Sequence, residues 1–107
     1  MSKARAKGTG WETELVPLLR TVFGPQVERA PLKGIADHGD FTGVPWLVEA
    51  KKTETPRFLE WARTARKKTG DRWMVVWCGD RRKGEGPYVL MPMALAFELA
   101  GRPEVIS

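Results

Sequence analysis

This sequence has very few of the side chains that form disulfides and zinc sites. Of its 107 residues, one is a cysteine, Cys78, and one is a histidine, His38. A single cysteine excludes an internal disulfide, and a single histidine excludes a zinc cluster built on several histidines. Cys78 lies in an apolar run, so we expect it to be a small core residue and not a nucleophile.

Long apolar stretches are also missing. No run of residues is long enough to cross a bilayer, and the N-terminus has no apolar signal segment. Together with the single cysteine, this composition predicts a protein of the reducing cytoplasm. At 107 residues the chain has the size of one domain with a modest core. We therefore predict a basic arm at residues 1–8 and a single domain at residues 9–107.

Acidic residues are outnumbered by basic ones. The chain has 13 Asp and Glu against 18 Lys and Arg, a formal net charge of +5, and a pI of about 9.7. This balance is typical of a protein that binds a polyanion, although a ribosomal or membrane-surface protein would also have it. Such side chains are most often only solvated, but their number favours contacts with phosphates. The candidates lie in the arm, in one helix and in a glycine-containing loop: Lys3, Arg5, Lys7, Arg63, Arg66, Lys67, Lys68, Arg81, Arg82 and Lys83.

Hydrophobic spacing divides the chain into helices and strands. Apolar residues recur every three or four positions in three segments, which predicts helices at residues 9–23, 57–69 and 93–100. Shorter apolar runs predict strands at residues 27–30, 39–42, 45–51, 73–78 and 88–91. We expect the second and third strands to form a hairpin, and the wholly apolar run 73–78 to be the centre of the sheet. The order α-β-β-β-α-β-β-α predicts an α/β fold with a mixed sheet flanked by helices.

A carboxylate and an ammonium occupy an otherwise apolar strand. Glu49 and Lys51 are two residues apart and therefore point to the same face. Charged groups there are costly unless they are paired or hold a metal. The predicted hairpin brings Asp40 alongside Glu49, and two carboxylates with a lysine suit a magnesium-dependent phosphodiesterase. The alternatives are a surface ion pair on an edge strand, an ordinary Asp-Gly turn at Asp40, and phosphate-binding charge at Lys51 and Lys52.

Other polar residues near these segments have two interpretations each. Thr9-Gly10-Trp11-Glu12 matches a capping box, in which Glu12 bonds back to the start of the first helix; Glu12 could equally face the carboxylate pair. Asp37 is a turn former or a supporting group for the site. His38 is an exposed loop residue or a contact for substrate or water.

Four segments, in order, resemble the PD-(D/E)XK nucleases, and among them the small Holliday-junction resolvases of archaea and their phage-encoded relatives. Residues 7–15 (KGTGWETEL) are similar to the opening of that family, and Arg29 stands where its members carry an arginine near the DNA. Gly39-Asp40-Phe41 resembles the aspartate motif, and Leu47-Val48-Glu49-Ala50-Lys51 resembles the E-x-K strand. The run at residues 37–45 is especially similar to phage versions. Thr13 departs from the arginine that archaeal members often have. The same core motif recurs in restriction, repair and recombination nucleases.

The resemblance implies a restriction-endonuclease-like fold with an α-β-β-β-α-β core and metal-dependent cleavage of DNA. Asp40, Glu49 and the main-chain carbonyl of Ala50 would bind Mg²⁺, for which Mn²⁺ would substitute. Lys51 would orient or activate the water, and Glu12 would be a further metal ligand or would position the water. Cutting a four-way junction symmetrically predicts a C₂ homodimer, in the cytoplasm of the host cell if the protein is phage-encoded. Another nuclease of this fold, a non-catalytic DNA-binding module and a basic structural protein are the alternatives.

Overall fold

The structure is a computed structural model, which describes the backbone of residues 3–31 and 39–101 and the side chains of residues 10–31 and 39–101. Within these residues, three helices and five strands follow one another in the predicted order α-β-β-β-α-β-β-α. They are α1 (Lys3–Phe23), β1 (Glu28–Arg29), β2 (Phe41–Thr42), β3 (Leu47–Lys52), α2 (Phe58–Thr69), β4 (Trp73–Cys78), β5 (Tyr88–Leu90) and α3 (Met93–Ala100), with a short 3₁₀ helix at Arg81–Lys83 between β4 and β5.

The larger sheet contains β3, β4 and β5. Strand β4 lies in the middle, parallel to β3 and antiparallel to β5. All six residues of β4 are buried, as expected from its wholly apolar sequence. Helix α2 makes the crossover between the two parallel strands, and Gly70 ends it. The predicted α/β class with a mixed sheet is confirmed.

The predicted hairpin between residues 39–42 and 45–51 is wrong. Strand β2 pairs antiparallel with β1 in a separate two-stranded sheet, with Arg29 opposite Phe41. The reason lies in the turn after β2, where Gly43 has a φ of +79° and fits closely against Gln26, just before β1. The Gln26 side chain also donates a hydrogen bond to the Gly43 carbonyl at 2.9 Å. This turn holds the end of β2 next to the start of β1, and among the described strands β3 pairs with β4 only.

Helix α1 begins at Lys3, six residues before the predicted start. Thr9 therefore lies within the helix, and the predicted capping box with Glu12 is wrong, because only residues before the first turn can cap it. Trp11, Leu15 and Leu19 are buried, four residues apart, as expected for a core-facing stripe. The Trp11 indole N–H donates a hydrogen bond to the carbonyl of Val76 at 3.0 Å, which attaches α1 to the centre of the sheet.

Strand β3 separates the two halves of the core. Val48 packs with the buried residues of α1, whereas Leu47 packs with Ala65 of α2. Because side chains alternate along a strand, Glu49 and Lys51 share the α2 side with Leu47, as the sequence predicts. None of the described helices combines the length and apolar character that crossing a membrane would require.

Candidate active site at the end of β3

Asp40 joins the two sheets at the point where β3 passes β2. Its main-chain N–H donates a hydrogen bond to the Val48 carbonyl at 3.0 Å, and its Oδ2 accepts one from the Ala50 N–H at 2.7 Å. The close approach depends on Gly39, whose φ is +80° and where a Cβ would lie 2.7 Å from the Val48 carbonyl oxygen. The Asp40 carboxylate is therefore held against β3 by the main chain.

Glu49 lies next to the Asp40 carboxylate. Its side chain is 18% exposed, and its Oε1 lies 3.7 Å from Nζ of Lys68. Burial, followed by the charge of Asp40 and a hydrogen bond between the two carboxyl groups, raises the pKa of Glu49 to about 7, and Lys51 and Lys68 act in the opposite direction. The expected proximity of Asp40 and Glu49 is thus confirmed, although two hydrogen bonds between Asp40 and β3 produce it and not a hairpin.

The Ala50 carbonyl lies on the edge of β3 that faces Asp40. In a β-strand the N–H and C=O of one residue point to the same side, and the Ala50 N–H donates to Asp40. The neighbouring Leu47 N–H points the other way, toward the start of β4, where it donates to the Arg72 carbonyl. The Asp40 carboxylate and the Ala50 carbonyl therefore share one edge of β3, next to Glu49, and oxygens of this kind are the ligands that Mg²⁺ prefers.

Lys51 lies beside the carboxylate pair, at the edge of a cavity. Its Nζ is 5.8 Å from the centroid of the Trp61 ring, in a cation–π arrangement. Glu49, Lys51, Arg57, Trp61 and Thr64 are among the residues around this cavity of about 290 Å³. The lysine therefore reaches both the carboxylate pair and an open space next to it.

Glu12 approaches the site from α1, but Arg29 holds its carboxylate. The Arg29 Nε is 3.3 Å from Glu12 Oε1. Burial, and then the charge of Asp40, raises the pKa of Glu12 against the opposing effect of Arg29. Within residues 3–31 and 39–101, no three His, Cys, Asp or Glu side chains form a group that could hold a metal ion. The role of Glu12 as a further ligand stays a prediction.

Two of the predicted DNA contacts flank Trp11 on the α1 side of the sheet. The Lys52 Nζ and the Arg81 guanidinium lie 5.6 and 5.3 Å from the centroid of its ring. Arg81 also bonds Oε1 of Glu14 at 2.9 Å. Both cations donate to the Cys78 sulfur, which is fully buried, as expected for a core cysteine. Lys52 and Arg81 therefore form one basic patch on the side of β3 opposite Glu49.

The remaining predicted contacts are dispersed. Arg82 pairs with Asp80 and Lys83 with Glu54, near the 3₁₀ helix. Arg63 and Arg66 border a second cavity that Met93 of α3 also borders, and Lys67 is exposed. The structure does not bring these five cations to the carboxylate pair. Lys3, Arg5 and Lys7 lie on the α1 backbone with side chains outside the described residues, and Asp37 and His38 lie outside them entirely.

The sequence interpretation missed the contact of Lys68 with Glu49. The sequence places Lys68 among the candidates for phosphate contacts, but in the structure its Nζ forms the ion pair with Glu49. Trp61, Ala65 and Lys68 are spaced four and three residues apart, which puts all three on one face of α2. That spacing could have indicated that Lys68 points to the sheet.

The site lies on elements that are common in α/β folds, and comparison with known proteins identifies no relative of this chain. No protein-family model, no curated protein and no solved structure matches this chain.

Proposed function

We propose that this protein is a metal-dependent DNA endonuclease with a restriction-endonuclease-like fold, and specifically a Holliday-junction resolvase. The observation that carries the proposal is the carboxylate pair of Asp40 and Glu49, with the Lys51 side chain next to it. Burial, and then repulsion by the charge of Asp40, raises the pKa of Glu49 to about 7. Such repulsion destabilises the fold unless a cation relieves it, so the arrangement favours a site that binds a metal.

The residues present fit a hard divalent cation. Asp40, Glu49 and the Ala50 carbonyl would hold Mg²⁺, with Mn²⁺ as a substitute, because all three provide oxygen ligands. When bound, the metal would polarise the scissile phosphate and make its water a better nucleophile. The ion pair of Lys68 with Glu49, at 3.7 Å, would keep that carboxylate oriented.

The chain's own cations would act on the phosphate. Lys51 would orient the attacking water and offset the negative charge that develops in the transition state. Attack in this family leaves a 5′-phosphate and a 3′-hydroxyl, and we expect the same products here. On the other side of β3, Lys52 and Arg81 provide positive charge for the neighbouring DNA backbone.

Symmetric cutting of a four-way junction needs two active sites, so the proposal includes a C₂ homodimer. Large apolar side chains on α2 and α3 remain exposed, among them Leu59 at 63%, Met93 at 70% and Phe97 at 59%. This surface is the proposed interface, because exposed apolar patches often mark contacts between proteins. The proposal also includes a cytoplasmic location.

The test is incubation of the purified protein with a labelled four-way junction and a matched linear duplex, with Mg²⁺, with Mn²⁺ and with EDTA. We expect paired nicks at symmetric positions in the junction only, which EDTA abolishes. Cleavage of both substrates would retain the nuclease and contradict the resolvase. Tight binding without cleavage in any divalent metal would contradict both and indicate a non-catalytic DNA-binding module. The variant Glu49→Gln is the control for a contaminating nuclease.

A further inference from the structure

The cavity beside Lys51 is lined by Glu49 of the carboxylate pair and has the size of a small-ligand site. Its volume is about 290 Å³, close to the lower end of the ~300–1,000 Å³ that is typical of pockets for small molecules. Glu49 and Lys51, which form part of the proposed active site, also line this cavity. A phosphate bound at the carboxylates would therefore place the adjoining part of the same ligand at the mouth of the cavity.

The walls of the cavity combine an aromatic ring, an apolar floor and a polar rim. Trp61 provides the ring, and Ala65 and Val75 provide the floor. Phe58 packs edge-on against Trp61 with the ring centroids 5.6 Å apart, which fixes the orientation of the indole. Thr64 adds a hydroxyl that can donate or accept a hydrogen bond. A planar, polar-edged aromatic group matches these walls.

Two cations, Lys51 and Arg57, lie at the rim of the cavity. Lys51 Nζ lies over the Trp61 ring, 5.8 Å from its centroid. A planar ring that stacks on Trp61 would displace the Lys51 ammonium from the face of the indole. The displaced ammonium could then contact the adjacent phosphate. Arg57, also at the rim, pairs with Glu60 at 3.4 Å in a solvent-exposed contact and offers a second cation.

We propose that this cavity binds one unpaired nucleobase of the DNA, next to the scissile phosphate and stacked on Trp61. The inference rests on the proposed function, because it takes the phosphate to be held at Asp40 and Glu49. A paired base inside a duplex cannot reach the cavity, whereas a base at a branch point leaves its stack at small cost. The cavity would thus select the branch by the one nucleotide that is free to enter it.

The test uses a four-way junction with 2-aminopurine at each nucleotide around the branch in turn, in EDTA. We expect one position at which the wild-type complex quenches the fluorescence, because stacking on an indole quenches this base. In Trp61→Leu the quenching disappears and junction binding weakens about tenfold, the effect of losing one stacked base. Trp61→Phe, which keeps an aromatic ring but has no indole, should retain the junction binding and lose the quenching. The matched control is Trp46→Phe, because the Trp46 ring packs on Phe23, outside the cavity. This variant should leave quenching and binding unchanged.

A second measurement does not depend on the folding of any variant. The wild-type protein with Mg²⁺ is given a junction that has an abasic site at the quenched position, and we expect nicking about tenfold slower than with an abasic site two nucleotides away. Nicking without quenching at any position overturns the inference and leaves the nuclease intact. Quenching without nicking supports the base site and overturns the nuclease. A junction that does not bind overturns both.

Discussion

The carboxylate pair makes a definite prediction about stability and pH. The pKa of Glu49 is about 7 in the folded protein, against an ordinary value of 4.5. Between these two pH values the folded protein binds more protons than the unfolded chain, so its stability falls as pH rises. The stabilisation that comes from the proton bound to Glu49 is complete below pH 4.5 and lost above pH 7. At about 1.4 kcal/mol per pKa unit, the free energy of unfolding should decrease by roughly 3 kcal/mol from this one group.

Glu49→Gln should remove this part of the pH dependence, since an amide keeps the shape and cannot ionise. We expect the variant to be more stable than the wild type at pH 8 by up to roughly 3 kcal/mol and equal to it near pH 4.5, in the absence of metal. The assay is urea unfolding in EDTA at pH 4.5, 6 and 8, followed by tryptophan fluorescence. Glu60→Gln is the matched control, because Glu60 borders the same cavity but is 60% exposed and pairs with Arg57.

Parallel pH profiles for the wild type and Glu49→Gln would refute the reasoning, because they would show that folding does not raise the pKa of Glu49. The same samples test the metal. Mg²⁺ should stabilise the wild type at pH 8 and have little effect on Glu49→Gln, since binding to the folded state alone raises its stability. Equal stabilisation of both proteins would contradict a metal site at Glu49.

Three further experiments test other residues of the proposed function. Asp40→Asn should abolish junction nicking in a gel assay and leave binding equal or tighter, because it removes a negative charge near the phosphates; nicking at the wild-type rate would contradict the metal site. Lys68→Met should slow nicking about tenfold through the lost contact with Glu49, whereas the exposed Lys67→Met should not, and equal rates would assign Lys68 to surface charge. Arg81→Ala with Arg82→Ala should reduce the salt dependence of junction binding measured by anisotropy, and an unchanged slope would exclude this loop from the DNA contact.

Local pattern predicts most of the secondary structure here. The run at residues 73–78 is short and wholly apolar, and residues 57–69 have the helical spacing, so element type and position agree with the structure. The failure concerns pairing. Two residues of β2 have too little pattern to choose a partner, and the choice depends on Gln26 contacting Gly43, which lies 17 positions away. The start of α1 at Lys3 was missed because Thr9 and Gly10 read locally as a helix start.

The candidate site was predictable where it depends on strand alternation and not where it depends on long side chains. Glu49 and Lys51 share a face because they are two residues apart. Lys68 and Arg29 reach their carboxylate partners across the fold, and a sequence period gives no direct measure of such reach. The charge at the site therefore differs from the prediction. Arg29 neutralises Glu12, and two lysines, one of them from α2, face Glu49.

Asp40 performs a structural and a chemical task with the same side chain. Its Oδ2 accepts the Ala50 N–H and so helps to attach the two-stranded sheet to β3, while the carboxyl group also repels the charge of Glu49. Asp40→Ala would therefore lose activity for either reason. Asn retains an oxygen that can accept the Ala50 N–H but carries no charge, so the attachment survives and the repulsion ends. If Asp40→Asn folds with wild-type stability or better and still fails to cut, the lost function belongs to the charge, as a metal ligand requires.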